Sequence, residues 1–452
     1  MFPGLPSRCS GMSSRPVCRI PPAAAVHERM VLKMSRITLI SSDGHVAALM
    51  SDYRPYLESE YLEDFEAFLV DYAKYGVVTT DSTNITNRLD PDAAAEWKEK
   101  VADPGRLDSM WNPERRAAEL DREGIAAEVL FQEFATPFLM SSPTHAATLK
   151  VKAPTDDQLS AGYRAYNRWL VDFRAFAPER WSPMAAISLH DVDAAVKELK
   201  AVKDMGFAGI AWPALPGTDR LYQPRYDRVW ATLEELELVV NIHVAIGSSL
   251  PSYTEARTLT SARAMVGADI FTSVRNLLPT LIFGGVLERF PNLKIVFTET
   301  HSDWVLGALQ RMDHSYERSD LRRDIRDVIP LRPSEYWNRQ CYLGSSLFSR
   351  AEIEARHRIG VDKMMIGIDF PHSEGAWRYG TRNYVKATFG TEQVPASEAR
   401  QMLGQTAADV FGFDLAALDK LVSTIGLDEA DVLTPPDVQP TYRGDLDRPL
   451  IP

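Results

Sequence analysis

Cysteine is scarce in this sequence. Only Cys9, Cys18 and Cys341 occur, two of them within the first twenty residues, so a disulfide framework is excluded and a reducing, cytoplasmic compartment is expected. No apolar run reaches the roughly 18–20 residues that a membrane-spanning helix needs. Dense basic runs are missing too. Lys and Arg total 50 against 62 Asp and Glu, a formal net charge of −12. Nucleic acid needs clustered positive charge, so neither nucleic acid nor a membrane is an expected partner. No Gly-rich loop follows the first apolar run, which removes the dinucleotide and phosphate cradles. An internal repeat at fixed period is also lacking. What is present is ordinary globular stock, 45% hydrophobic and 25% charged residues in a chain of 452. That is enough for a large core without covalent staples.

Residues 1–33 stand apart. They are rich in Arg, Pro and Ser, hold no acid before Glu28, and contain Pro21-Pro22, which disfavours an amphipathic helix. They read as a disordered tail or an over-long gene start, with Met34 as a natural beginning. Residues 37–40 form a short apolar run that opens into Ser41-Ser42-Asp43-Gly44-His45. Residues 50–120 are acidic and aromatic, with helical periodicity broken at 81–84 and 103–105, and are expected to form a helical cap inserted over a site. Further apolar runs at 127–131, 183–189, 208–212, 238–243, 293–298, 340–343 and 363–368 read as strands. Helical stretches at 157–176, 191–206, 226–236, 273–290, 304–316, 351–359 and 397–411 alternate with them. Continuous apolar strands between helices predict parallel βα units. Eight such units predict an α/β fold, a (β/α)8 TIM barrel, spanning residues 34–413. The Pro-rich chain over 414–452 is expected to wrap the surface.

The polar residues at the strand ends carry the chemistry. Asp43 and His45 follow the first strand, Gln132 and Glu133 the second, and His243 ends the fifth. Glu299 and His301 follow the sixth; Asp369 and then His372 follow the eighth. The C-terminal ends of barrel strands converge on one mouth, so residues far apart in sequence meet there. Asp43 and His45 are two apart in an extended segment and point the same way. Imidazole and carboxylate groups with open positions suit a divalent first-row metal such as Zn, Mn or Fe. Any one of these residues alone has an ordinary structural explanation; their coincidence at strand ends one, five and eight favours a metal.

The motifs Ser42-Asp43-Gly44-His45-Val46, Gly124-Ile125-Ala126-Ala127-Glu128-Val129-Leu130-Phe131, Gly206-Phe207-Ala208-Gly209-Ile210 and Ile242-His243-Val244 occur in that order. They are followed by Arg289-Phe290-Pro291-Asn292-Leu293-Lys294-Ile295, Gly367-Ile368-Asp369-Phe370-Pro371-His372 and a closing helix at 404–412. Together they resemble the amidohydrolase-related family, in the branch of aminocarboxymuconate-semialdehyde and resorcylate-type decarboxylases, over roughly residues 36–413. The resemblance implies a metal held by Asp43, His45, His243 and Asp369, with Asp369 doubling as general base. It also suggests dimers, with a homo-oligomer or a hetero-oligomer with a related subunit as the expected assembly. Two departures stand out: Asp43-x-His45 replaces the usual His-x-His or Glu-x-His, and Glu299 stands where decarboxylating members place a His.

Three functional expectations follow. The first is a metal-dependent hydrolase or decarboxylase for a small carboxylate or amide substrate, in which Glu299 and His301 join the ligand set or supply the second acid–base group beside Asp369. The second is a dinuclear non-haem iron monooxygenase. There Glu299 and His301 complete a two-metal site, and Glu133 and His372 are the further candidates for second metal or substrate. The third is a non-catalytic partner subunit that keeps the barrel.

Overall fold

The computed structural model describes residues 35–74, 91–133, 135–140, 154–212, 220–243, 272–318, 324–372, 375 and 380–438. Residues 1–34, which include the tail and the expected start at Met34, the break at 81–84, and all of 439–452 lie outside the described residues.

Eight strands follow one another around a single sheet in chain order. They are β1 (Leu39–Ser41), β2 (Ile125–Gln132), β3 (Trp181–Ala186), β4 (Gly209–Ala211), β5 (Val239–His243), β6 (Ile295–Thr298), β7 (Cys341–Ser346) and β8 (Met364–Gly367). Every neighbouring pair is parallel. The seam between β8 and β1 is closed just past the strands by single bonds. Ser42 N–H donates to the Ile366 carbonyl at 2.8 Å, Asp369 N–H to Asp43 at 3.0 Å, and His45 N–H to Phe370 at 3.0 Å. The result is the expected TIM barrel.

The side-chain alternation of the strands sorts the core into two layers. Ile40, Val129, Met184, Val239, Val296 and Met365 come from strands all around the barrel and meet in one cluster, which is therefore its lumen. Their neighbours Leu39, Leu130, Ala185, Val240, Ile295 and Ile366 face the other way, into the larger cluster shared with the helices. The helices begin where their caps say they should. Asn112 accepts from Arg115 N–H to open α1 (Pro113–Glu123), Thr155 and Gln158 form a capping box on α2 (Asp156–Arg174), and Asp191 accepts from Ala194 N–H on α3 (Val192–Asp204).

Three local outcomes differ from expectation. The helix expected over 273–290 is three short pieces, Thr272–Arg275, Leu277–Phe283 and Val286–Arg289. Gly284-Gly285 interrupts it, with Gly285 at φ 71°, a conformation glycine adopts without strain. Strand β7 runs on to Ser346, past the expected end at 343, because Gly344-Ser345-Ser346 is small and polar and carries no apolar signal. The chain after 413 does more than wrap. Asp414 caps a helix, Leu415–Ile425, whose Leu418 and Val422 join the lumen cluster. Leu427–Asp428 then pairs antiparallel with Arg36–Ile37.

Between β1 and β2 a two-residue strand, His45–Val46, pairs with Phe131–Gln132 of β2, and the described chain after it is helical: Met50–Tyr56, Ser59–Tyr61, Leu62–Lys74, Pro91–Trp97, Lys98–Ala102, Arg106–Met110 and α1. Trp97 and Val101 pack on Phe370 beyond β8, and the Trp97 indole N–H donates to the Pro371 carbonyl at 3.3 Å. Among the described residues, no helix is long and apolar enough to cross a membrane.

Candidate metal centre

At the end of β1 the chain turns into Asp43-Gly44-His45. The Asp43 side chain is fully buried, and its Oδ2 accepts from the Ser346 hydroxyl at 3.0 Å. Gly367 makes room for it, since a Cβ there would stand 2.7 Å from the Asp43 Cβ. The His45 imidazole is set by its outer nitrogen. Nδ1 lies 3.0 Å from the Gln132 carbonyl, an acceptor only, so Nδ1 carries the proton and Nε2 faces the site. That Nε2 stands 3.2 Å from Asp369 Oδ1 and 3.5 Å from Asp43 Oδ1. From the end of β5, His243 places Nε2 3.4 Å from Asp43 Oδ1 and Nδ1 3.6 Å from Glu299 Oε2. His372 Nδ1 is 3.0 Å from Asp369 Oδ1, and its Nε2 is 3.1 Å from Glu133 Oε2.

The backbone at these strand ends is bent into unusual conformations. Glu299, His301 and Asp369 have φ of 55°, 54° and 51°, three of the seven described non-glycine residues in the left-handed region. Such residues concentrate where surrounding structure over-determines a functional turn. At β6 that structure is visible. Glu352, fully buried, accepts from Ser302 N–H and Oγ at 2.7 and 2.9 Å and from Ser349 N–H and Oγ at 2.8 and 2.7 Å. It thereby ties the turn after β6 to the turn after β7.

The donors fit a cation. Ligand atoms of Asp43, His45, His243 and Glu299 lie within 4.8 Å of one another, as do those of His45, Glu299, Asp369 and His372. Donors bound to one ion at about 2.0–2.2 Å stand roughly 3–3.5 Å apart, which the His45–Asp43, His45–Asp369 and His243–Asp43 separations of 3.5, 3.2 and 3.4 Å match pair by pair. His45 Nε2 and both Asp369 oxygens are buried without a well-directed hydrogen bond, even though imidazole nitrogens lie 3.0 and 3.2 Å from Asp369 Oδ1. Buried polar atoms left this way are costly, and a cation among them removes the cost. The electrostatics agree. Burial pushes the Asp369 carboxyl up, but His372 and His45 outweigh it and hold the group well below the usual carboxylate range. Burial and His372 push the His45 imidazole down, yet Asp369, Asp43 and Glu133 leave it raised. His372 is likewise raised, against its burial, by Asp369 and Glu133. The cluster draws positive charge to itself.

Asp43, His45, Glu133, His243, Glu299, Asp369 and His372 therefore meet at the same mouth, and two residues need distinguishing. His301 belongs to neither group of mutually close donors; its carbonyl accepts from the Trp304 indole N–H at 3.1 Å. Glu133 reaches the cluster through His372 and stands 3.9 Å from His45 Nδ1. Sequence reasoning missed Ser346 and Glu352. The first was lost because β7 was read too short. The second could have been found as the third residue after the cap Ser349, the capping-box position.

The family model for amidohydrolases matches residues 137–413, more than half of the chain. Among characterised relatives, a 2-amino-3-carboxymuconate-6-semialdehyde decarboxylase from Dictyostelium discoideum is 22% identical over 312 residues, covering 68% of this chain and 78% of its own. A gamma-resorcylate decarboxylase from Rhodococcus jostii (strain RHA1) is 25% identical over 273 residues, covering 56% and 76%. Among solved structures, a 5-carboxyvanillate decarboxylase from Novosphingobium aromaticivorans with bound manganese superposes with a TM-score of 0.57 at 16% identity, over 83% of this chain and 97% of the other.

Proposed function

This chain belongs to the amidohydrolase family of enzymes, and from that premise we propose that it is a metal-dependent carboxy-lyase that removes CO2 from a carboxylate borne on an unsaturated carbon. The observation that carries the reading is Asp369: a buried carboxylate with no well-directed hydrogen bond, 3.2 Å from His45 Nε2 and in a close set with His45, Glu299 and His372. The relatives named above carry decarboxylase names, and none is named an oxygenase, so the dinuclear iron reading falls behind.

Asp43, His45, His243 and Glu299 would hold a divalent ion, and Asp369 and His372 form a second close set with His45 and Glu299. Bound there, such an ion supplies Lewis-acid polarisation of substrate oxygens. The rest falls to the chain. Loss of CO2 breaks a carbon–carbon bond whose electron pair stays on the unsaturated carbon, and that carbon must take up a proton. Asp369 is held ionised, so the proton would come from the imidazolium of His372, 3.0 Å from Asp369 Oδ1, with Asp369 relaying it to that carbon. Glu133 holds the far nitrogen of His372 at 3.1 Å, which sets the His372 Nδ1 3.0 Å from Asp369 Oδ1. Glu299, on the turn after β6 with Oε2 3.6 Å from His243 Nδ1, would supply the second acid–base position where it does not bind the ion.

The test is CO2 release from a panel of hydroxybenzoates and conjugated enoic acids by Mn2+-loaded protein. Asp369→Ala should lower turnover by about 10²–10⁴, the range of a lost general acid–base group. Hydrolysis of amides or esters by the loaded protein, with no CO2 from any carboxylate, would overturn the carboxy-lyase reading.

A further inference from the structure

Beneath the mouth lies a buried ion pair. Arg116 on α1 and Glu128 in the middle of β2 are both fully buried. The guanidinium meets the carboxylate bidentately, Nε to Oε2 at 2.9 Å and Nη2 to Oε1 at 2.6 Å. Its remaining donors do not go to other side chains. Nη1 donates to the His45 carbonyl at 3.3 Å and Nη2 to the Phe370 carbonyl at 3.2 Å. Those carbonyls belong to the turn that carries Asp43 and His45 and to the turn that carries Asp369.

These two turns meet at the β8–β1 seam, where no extended ladder holds the barrel shut and closure depends on a few backbone bonds. A planar fork with five fixed donors suits this place. One residue can take a carboxylate on one edge and reach two carbonyls with its other hydrogens. Phe370 is held on its face as well, with the Arg116 guanidinium carbon 5.1 Å from the ring centroid. The motif glycine answers to the same pair. A Cβ on Gly44 would stand 2.1 Å from Glu128 Oε1 and 2.8 Å from Arg116 Nη2, so residue 44 lacks a side chain because the pair fills that space.

We infer that Arg116, oriented by Glu128, is a positioning residue that sets the spacing of the Asp43–His45 and Asp369 turns and so the geometry of the metal ligands. The inference rests on the metal-centre reading. Groups that orient ligands from behind are worth roughly 10–100-fold in metal affinity. Replacing a buried ion pair by apolar residues of similar size is often neutral for stability. A positioning role and a merely structural one therefore predict different things.

The experiment compares the full-length protein with Arg116→Met/Glu128→Leu and with Arg116→Lys. Mn2+ affinity is measured by calorimetric titration, the bound-ion geometry by the electron paramagnetic resonance spectrum of Mn2+, and folding by thermal melting. Expected are a melting temperature close to wild type for the double variant, Mn2+ binding weaker by about tenfold or more, and a changed spectrum. Lysine keeps the charge but cannot make the fork, so Arg116→Lys should also bind more weakly. Wild-type affinity and spectrum in both variants would overturn the inference while leaving the metal centre intact. A wild-type protein that takes up no Mn2+ would overturn the metal-centre reading itself, and this inference with it. Failure of both variants to fold would make the pair a stability element and likewise overturn it.

Discussion

Gly44→Ala is the sharpest single perturbation of the seam. A glycine-to-alanine change where space is free and φ is ordinary usually stabilises by about 0.4–1 kcal/mol, because the unfolded chain loses freedom. Here the added carbon would sit 2.1 Å from Glu128 Oε1, 2.6 Å from its Cδ and 2.8 Å from Arg116 Nη2. Ordinary carbon–oxygen contact needs more than 3 Å, so something must move by about an ångström. Glu128 is in a paired strand, flanked by β1 and β3 at Ser41 and Trp181. Its carboxylate is locked by bonds of 2.6 and 2.9 Å. A shift of that size breaks the fork. The cost lies between overpacking, about 1–3 kcal/mol, and disrupting a buried pair, about 3–5 kcal/mol. We expect about 3 kcal/mol of destabilisation, the reverse in sign of an ordinary Gly→Ala change. The assay is urea unfolding of metal-free protein, which separates this cost from any loss of bound ion. Adding Glu128→Asp, one methylene shorter, should recover part of the loss. A Gly44→Ala variant as stable as wild type would refute the steric argument and the tight packing of the pair.

Other outcomes follow from the same structure. Chelation should lower the melting temperature, and Mn2+ at a hundred times its dissociation constant should restore about 2.7 kcal/mol; identical melting curves with and without ion would count against the centre. Gly307 sits inside the helix Asp303–Glu317 with open space where a Cβ would go, so Gly307→Ala should stabilise by about 0.5–1 kcal/mol, measured by the same urea titration. The Cys341 thiol is fully buried and pushed up to about 12 by that burial. Because the thiolate is the reactive form, a Cys9→Ser/Cys18→Ser variant should show no rapid thiol labelling at pH 8 while folded and one label once unfolded. Rapid labelling of the folded variant would contradict the burial of β7.

The barrel was legible because its two signals are strong and redundant. Parallel strands covered on both faces read as unbroken apolar runs, and the 340–343 run was the weak one because β7 ends in Gly344-Ser345-Ser346. Helix caps such as Asp191 could be read directly. The helix expected over 273–290 misled because its apolar spacing continues across Gly284-Gly285, where the backbone turns. The prolines after 413 suggest a wrapping tail, yet they begin only at Pro435, and the amphipathic stretch before them packs Leu418 and Val422 into the same apolar cluster as the inward strand residues.

The site divides along a different line. Ligand candidates could be named because a barrel delivers strand ends to one place, so a polar residue just past an apolar run locates itself. What holds those residues has no such address. Yet Glu128 did leave a signal. It is a lone carboxylate in the middle of Ala126-Ala127-Glu128-Val129-Leu130-Phe131, and a buried strand does not tolerate a charge without a partner. The partner could be sought on the helix just before it, where the face that buries Leu120 one turn later also presents Arg116. An arginine on the buried side of an amphipathic helix and an acid in a buried strand, separated by a tight glycine turn at Gly124, are two anomalies that cancel only if they meet. Gly44 is the third. In Asp-Gly-His the glycine has no chemistry of its own, and its place in the motif makes sense only once the pair behind it is seen. Charged residues that break an apolar pattern in adjoining elements are thus a readable mark of the support behind a site, even where the ligands alone carry the recognisable motif.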